Sequence, residues 1–213
     1  MTKRVLIMGA TSGIGKCTVE VGLAKGLIVR AFSRRAAEMA PRDNLEAVAG
    51  DALVAADVAG ALDGMDAVIY ALGVEKTLGK LWKTVTLFSA STEVLLPEME
   101  RAGVKRLLVV TGFGAGRSRS AMSTIEQIGH RAILGRPYAD KDVQEEMIMQ
   151  SPLDWTIVRP VILTDNRDGR SYQVLRDPAT WRNGLISRWA VAEYLIAAAS
   201  GGQDIRGDVV LTR

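Results

Sequence analysis

Arg4-Val5-Leu6-Ile7-Met8-Gly9-Ala10-Thr11-Ser12-Gly13-Ile14-Gly15 opens the chain, and Leu27-Ile28-Val29-Arg30-Ala31-Phe32-Ser33-Arg34-Arg35 follows one helix length later. The first five residues form a short apolar run with one basic residue at its head. The glycines then make a turn, a helix-like stretch starts at once, and a second apolar run ends in cations. Strand, glycine turn, helix, strand is the βαβ unit of a dinucleotide site. A helix start leaves several backbone N–H groups without partners and carries partial positive charge. A pyrophosphate can sit there if no side chain intrudes. The spacing is G-x-x-x-G-x-G rather than G-x-G-x-x-G. In a chain with 21 glycines such a triplet alone is only a turn, and the flanking strand and helix are what give it meaning. Gly9, Thr11, Ser12, Gly13 and Ile14 are therefore the candidate phosphate cradle.

The end of the second apolar run sets cofactor preference. NAD sites of this kind carry an acid there for the ribose 2′-hydroxyl. This chain has Ser33, Arg34 and Arg35 instead. Guanidinium groups suit a phosphate monoester, which they grip through paired hydrogen bonds. Arg34 and Arg35 are thus read as ligands of a 2′-phosphate, and the cofactor as NADP(H); a solvated basic turn is the bland alternative.

The chain has 213 residues, a length that fits one α/β domain spanning 1–213. Hydrophobic residues make up 48% and charged residues 24%, as in globular proteins. No apolar window is long enough for a transmembrane helix. The first residues run directly into a strand, so no signal peptide is expected. The single cysteine, Cys17, allows no internal disulfide and fits the cytoplasm; it reads as a packing residue. The net charge of +3 is not gathered into a basic tract, so no nucleic-acid partner is expected. Gly116-Arg117-Ser118-Arg119-Ser120 comes nearest to one and reads as a mobile solvated loop. One histidine, His130, and one cysteine argue against zinc.

Apolar runs of strand length recur at Val5–Met8, Leu27–Phe32, Ala47–Ala49, Ala67–Ala71, Leu107–Val110, Trp155–Val158 and Val209–Leu211. Helical patterns lie between most of them. Near-continuous apolar strands alternating with helices predict a Rossmann-like, doubly wound parallel sheet covered on both faces. Helices are predicted from about Ser89 to Ala102, with Val94, Leu95 and Met99 as a stripe, and from about Ser187 to Ser200, with Val191, Tyr194, Leu195 and Ala198. Ser187 is the expected N-cap of the latter. The polar segment Thr164–Gly184 has no clear period and reads as a substrate-side loop.

Ligands of an open parallel sheet bind beyond the carboxyl ends of its strands. That rule selects Asp51 and Ala52 after the third strand, with Asp51 as an acceptor for the adenine amino group, a helix N-cap, or both. It selects Ala71, Leu72 and Gly73 after the fourth, beside the ribose. Thr111 and Gly112 after the fifth fall on the nicotinamide side. Pro160, Val161 and Ile162 after the sixth would line the nicotinamide face through backbone contacts.

Several of these stretches resemble the atypical short-chain dehydrogenase/reductases. They are Gly9–Gly15, Gly50-Asp51, Val109-Val110-Thr111-Gly112 and above all Ser151-Pro152-Leu153-Asp154-Trp155-Thr156-Ile157-Val158-Arg159-Pro160. The similarity covers nearly the whole chain. It is greatest to the compact NAD(P)H-binding branch with the NmrA-like proteins and the flavin/biliverdin-IX-beta reductases. The resemblance implies a Rossmann-like domain, bound NADP(H) and often reductase activity. Catalytic members of the wider superfamily use a Tyr and a Lys four residues apart, with a nearby Ser. Lys141 with Glu145 matches the family's Lys-x-x-x-Glu spacing. The Tyr position would then fall on Pro137 and the Ser position on Gly112; Tyr138 is one residue off, about 100° around a helix. Lys141 is read as a cofactor ligand or, alternatively, as a surface lysine paired with Glu145. Lys141, Thr111 and Tyr138 are the candidate catalytic groups.

Two functions follow. The first is an NADPH-dependent reductase acting on a small conjugated acceptor such as a flavin or quinone-like molecule, as a monomer or homodimer. Gly116–Pro137 and Thr164–Gly184 would wall its acceptor pocket. The second is a non-catalytic NADP(H)-binding redox sensor of the NmrA-like type. A nucleotide-sugar epimerase or dehydratase is disfavoured, because the chain is short of the usual substrate lobe and the aligned Tyr is absent.

Overall fold

The computed structural model describes residues 3–73, 86–122, 124–167 and 171–213, with residues 124–136 described as backbone only. Strand β1 (Arg4–Met8) leads through the glycine turn into helix α1 (Gly13–Ala24) and strand β2 (Ile28–Ser33). Then come β3 (Leu45–Ala49), α2 (Ala55–Leu62), β4 (Ala67–Tyr70), α3 (Leu87–Ala102) and β5 (Arg106–Val110). Helix α4 (Thr124–Gln150) runs into β6 (Asp154–Pro160). Short strands β7 (Ile162–Thr164), β8 (Gln173–Leu175) and β9 (Leu185–Ser187) precede α5 (Arg188–Gly201) and β10 (Gly207–Thr212).

The main sheet has eight strands in the order β3-β2-β1-β4-β5-β6-β10-β8. Every pairing is parallel except the β10–β8 edge. Strands β7 and β9 form a separate parallel pair. The chain winds outward from β1 to β3, then crosses back to β4 on the other side of β1. That reversal opens a crevice at the carboxyl ends of β1 and β4.

The burial of β1 explains why its sequence is a continuous apolar run. Val5 and Ile7 enter one core with Val191, Tyr194 and Leu195 of α5. Leu6 and Met8 enter the opposite core with Leu95 and Met99 of α3. Side chains alternate between the faces of a strand, so a sheet covered on both sides needs apolar residues at every position. Both predicted helical stripes are the buried faces, apart from Val94, which is only partly buried.

The predicted cap holds as well: Ser187 Oγ accepts from Ala190 N at 3.0 Å. Helix α4 continues through Pro137, which keeps Tyr138 on a helix. Two readings need correction. The polar segment Thr164–Gly184 is not wholly loop. It contains β8, and it buries Trp181, whose indole N–H donates to Leu175 O at 3.0 Å. One long aromatic anchor there gives no periodicity to read. The stretch Gly116–Ala121 is a short 3-10 helix rather than a mobile loop. Ser118 is buried in it, and Arg117 and Arg119 pair with Asp208 and Asp142.

No helix of the described residues is long and apolar enough to cross a membrane. Nor does any group of three or more His, Cys, Asp or Glu among them have the placement to hold a metal. Replacing Ser187 with Ala removes the α5 cap bond. Urea denaturation should show a loss of about 1 kcal/mol.

Candidate functional site

The glycine turn is built on backbone contacts. A Cβ at Gly9 would lie 2.7 Å from Ala71 O, and one at Gly15 would lie 2.2 Å from Gly9 O. Only glycine lets β1, the end of β4 and α1 approach this closely. Gly13 faces the other way, with nothing within 4 Å of where its Cβ would be. Ser12 precedes α1 without a side-chain cap bond. The N–H groups of Ser12, Gly13 and Ile14 have no backbone acceptor outside the helix among the described residues. The turn thus presents donors to open space at a helix N-terminus, as an anion seat requires.

Arg34 and Arg35 lie exposed in the turn after β2. Among the described residues neither has an ion-pair partner. A cleft of about 380 Å³ opens beside them, lined by Thr11, Lys16, Arg35 and Arg42 among others. Arg42 is tethered across it to Glu20 at 2.7 Å. Ser33 Oγ, at the end of β2, is buried and without a hydrogen-bond partner. These features suit an anionic ligand: an orphaned hydroxyl, free guanidinium groups and a cleft at the position where NAD sites carry an acid. Lys16 and Arg42 escaped the sequence reading. Lys16 directly follows the glycine motif and was visible; Arg42 reaches the cleft only through the fold.

Asp51 does not cap α2, whose N-cap is Val54. Its Oδ1 accepts from Leu53 N at 3.0 Å, while its own N–H donates to Asp57 Oδ2 at 2.8 Å. The carboxylate therefore shapes the turn before the helix. Ala52 is buried, Ala71 and Leu72 are partly buried, and Gly73 is exposed at the end of β4.

At Pro160–Ile162 three backbone groups already have partners within the fold. Val161 N donates to Leu211 O at 3.1 Å and Ile162 N to Gly184 O at 3.2 Å, while Pro160 O accepts from Phe113 N at 3.0 Å. These three groups therefore bond within the fold.

For Lys141 the surface alternative is corrected. This lysine is buried, not on the surface, and its Nζ donates to Thr111 O at 2.6 Å with its charge 4.5 Å from the Phe88 ring centroid. Nor does it take Glu145 as its hydrogen-bond partner. Glu145 instead accepts from Thr111 Oγ1 at 2.7 Å and from Arg159 Nη2 at 2.7 Å and Nε at 3.1 Å. Arg159 reaches on to Asp208 at 2.6 Å. Its guanidinium lies 5.2 Å from the Trp181 ring centroid. Burial alone would pull Arg159 down, but the bonds to Glu145 and Asp208 outweigh it and hold the guanidinium firmly charged. Burial pushes Lys141 down to about 8, with Glu145 and Asp140 opposing.

Tyr138, although one residue off the expected position, brings its hydroxyl to the end of β5. A Cβ at Gly112 would lie 2.5 Å from Tyr138 Oη. Burial, with the Glu145 charge adding to it, pushes this phenol up to about 12, so it stays protonated at neutral pH. The missing Ser at 112 thus makes room for the displaced Tyr. Cys17 is half-buried in α1, and burial raises its thiol, as expected of a packing residue. The His130 side chain and part of the proposed pocket walls lie outside the described residues.

Comparison with known proteins agrees with this geometry. A family model described as NAD(P)H-binding matches residues 9–201. The chain belongs to that NAD(P)H-binding family. Sterol demethylase protein B from Methylococcus capsulatus is 34% identical over 113 residues, 52% of this chain and 34% of that protein. The match thus spans about a third of that relative's length. Among solved structures, ChuY, an anaerobillin reductase from Escherichia coli O157:H7, is 24% identical with a TM-score of 0.80, covering 99% of this chain and 97% of its own. A short-chain dehydrogenase/reductase from Veillonella parvula DSM 2008, solved in complex with NADP, is 15% identical with a TM-score of 0.82, covering 100% and 95%. At these identities the two structures establish the fold.

Two outcomes test the buried network. Arg159→Met strands Glu145 and Asp208 and should cost about 3–5 kcal/mol in chemical denaturation. Lys141 has a folded pKa below its unfolded value of 10.5. Between about pH 8 and 10.5 the unfolded chain holds the extra proton, so wild-type stability should rise across that window. The gain relative to Lys141→Met should be on the order of 3 kcal/mol, read from paired denaturation curves.

Proposed function

We propose that this protein is an NADP(H)-dependent reductase that passes hydride to a small conjugated acceptor such as a flavin or quinone-like molecule. The observation that carries the cofactor half is the cationic corner at the end of β2. Arg34 and Arg35 stand unpaired among the described residues, beside a partnerless, buried Ser33 hydroxyl. A 2′-phosphate would satisfy all three groups. The pyrophosphate would lie on the turn formed by Gly9, Thr11, Ser12, Gly13 and Ile14. Asp51 and Ala52 would meet the adenine, and Ala71, Leu72 and Gly73 the ribose. Bound NADPH supplies the hydride; the chain's own groups hold it and shape the acceptor site.

The reductase half rests on Tyr138. Its protonated hydroxyl stands at the end of β5 beside Thr111 and Gly112, on the nicotinamide side of the crevice. Thr111 commits its hydroxyl proton to Glu145 and can serve only as an acceptor toward a ligand. A reductase among the structural neighbours supports this direction of reaction. The sensor reading draws on one specific observation: Lys141, the lysine of the superfamily's catalytic set, is bonded into the fold.

The deciding experiment titrates NADPH and NADH by fluorescence, then adds flavin and quinone dyes to the same protein. NADPH should bind at least tenfold tighter than NADH and be oxidised by at least one acceptor. Arg34→Ala and Arg35→Ala should weaken NADPH by about tenfold or more, one to two charge-assisted bonds, and leave NADH within about twofold. Tight binding without turnover, and with unequal affinity for NADPH and NADP, would instead favour the sensor.

A further inference from the structure

Arg42 faces the cleft beside the cationic corner, yet its charge is already engaged. Its Nη1 pairs with Glu20 at 2.7 Å. Both residues line the cleft of about 380 Å³, together with Thr11 of the glycine turn, Lys16 and Arg35. One cleft thus joins the phosphate turn, Arg35 and the Glu20–Arg42 pair. Lys16 and Arg35 have no ion-pair partner among the described residues. Glu38, the other acid of the cleft, forms no ion pair with them among those residues either.

The backbone on each side of the pair is fixed. Glu20 stands on α1, next to Val19, which is buried in the core. Arg42 opens a tight turn: its carbonyl accepts from Leu45 N at 3.2 Å, and Asn44 within the turn takes a φ of 60°. Asn tolerates that left-handed conformation better than most residues. The turn is fastened to β2, because Val29 N donates to Asn44 O at 2.8 Å. What is left to move is the arginine side chain. It is 44% exposed, and that of Glu20 is 36% exposed. An ion pair in such screened surroundings contributes little. A phosphate monoester carries nearly two charges and accepts two parallel bonds from one guanidinium. It is the stronger partner for Arg42.

We propose that Glu20 is an internal stand-in for phosphate. It holds Arg42 while no phosphate is bound, and a 2′-phosphate takes Arg42 over as a further ligand beside Arg34 and Arg35. The inference rests on the NADP(H) reading and adds the regulation of that site. Breaking the Glu20–Arg42 pair subtracts from the affinity for phosphate-bearing ligands alone. Arg42 therefore sharpens the separation of NADP(H) from NAD(H), and Glu20 blunts it.

Adenosine 2′,5′-bisphosphate and 5′-AMP differ only in the 2′-phosphate and carry no nicotinamide. Calorimetric titration of both reads this corner apart from any reductase chemistry. The wild type should bind the bisphosphate about tenfold tighter than AMP, or more. Glu20→Gln should tighten the bisphosphate about threefold, the share of an exposed ion pair. Arg42→Ala should weaken it about fivefold, the worth of one charge-assisted bond less the pair it displaces. Neither should move AMP by more than about twofold. In the Arg42→Ala background the gain from Glu20→Gln should shrink to less than half, because independent charges add whereas residues acting through each other do not. If Glu20→Gln does not fold, Glu20→Asp, too short to hold Arg42, takes its place with the same expectations. Equal gains in both backgrounds, no gain from Glu20→Gln, or no loss from Arg42→Ala would overturn the stand-in while leaving the NADP(H) reading in place. Equal wild-type affinity for the two nucleotides would instead strike that reading, and the stand-in with it.

Discussion

The architecture depends on a contact that no side chain can take part in. At the start of α1 the backbone of Gly15 lies against Gly9, and Gly9 against the end of β4. These approaches bring β1, β4 and α1 together at the point where the strand order reverses. They place the helix N-terminus over the crevice rather than beside it. The cost is a turn with little chain stiffness. The return is a row of amide donors facing a space open to a ligand.

Behind the crevice the fold does something less economical. Glu145, Arg159 and Asp208 come from a helix and two strands and meet where water is largely excluded. Burying such charges rarely stabilises a fold relative to apolar packing. What the arrangement does supply is direction. Glu145 orients Thr111, Arg159 orients Glu145, and Asp208 and Trp181 confine Arg159. The chain thus spends stability on the placement of one strand end, and Lys141, one turn before Glu145 on α4, bonds the same residue through Thr111 O.

The sheet and the glycine turn were legible because they depend on local pattern: apolar runs of strand length, punctuation by glycine, and a helix beginning at the right residue. The cationic corner was legible for the same reason, since Ser33, Arg34 and Arg35 are consecutive. For Lys141 only the surface alternative fails: its spacing to Glu145 is also that of a surface ion pair, and nothing local says that α4 turns this face inward. Pro160, Val161 and Ile162 were assigned a ligand through their backbone groups. The partners that use those groups, Leu211, Gly184 and Phe113, lie far off in sequence. Tyr138 is partly buried on α4, as a residue packed against the sheet would be. Its one-residue offset was legible; that the glycine at 112 leaves room for the phenol to reach the strand end was not, because the two meet only through the fold.

The partnerless Ser33 hydroxyl has a consequence for the protein's persistence. A buried hydroxyl that forgoes water without gaining a bond raises the free energy of the native state. An anion bonded there would lower that free energy only in the folded chain, by an amount that grows with the logarithm of ligand concentration. Resistance to proteolysis would then be coupled to the supply of that anion.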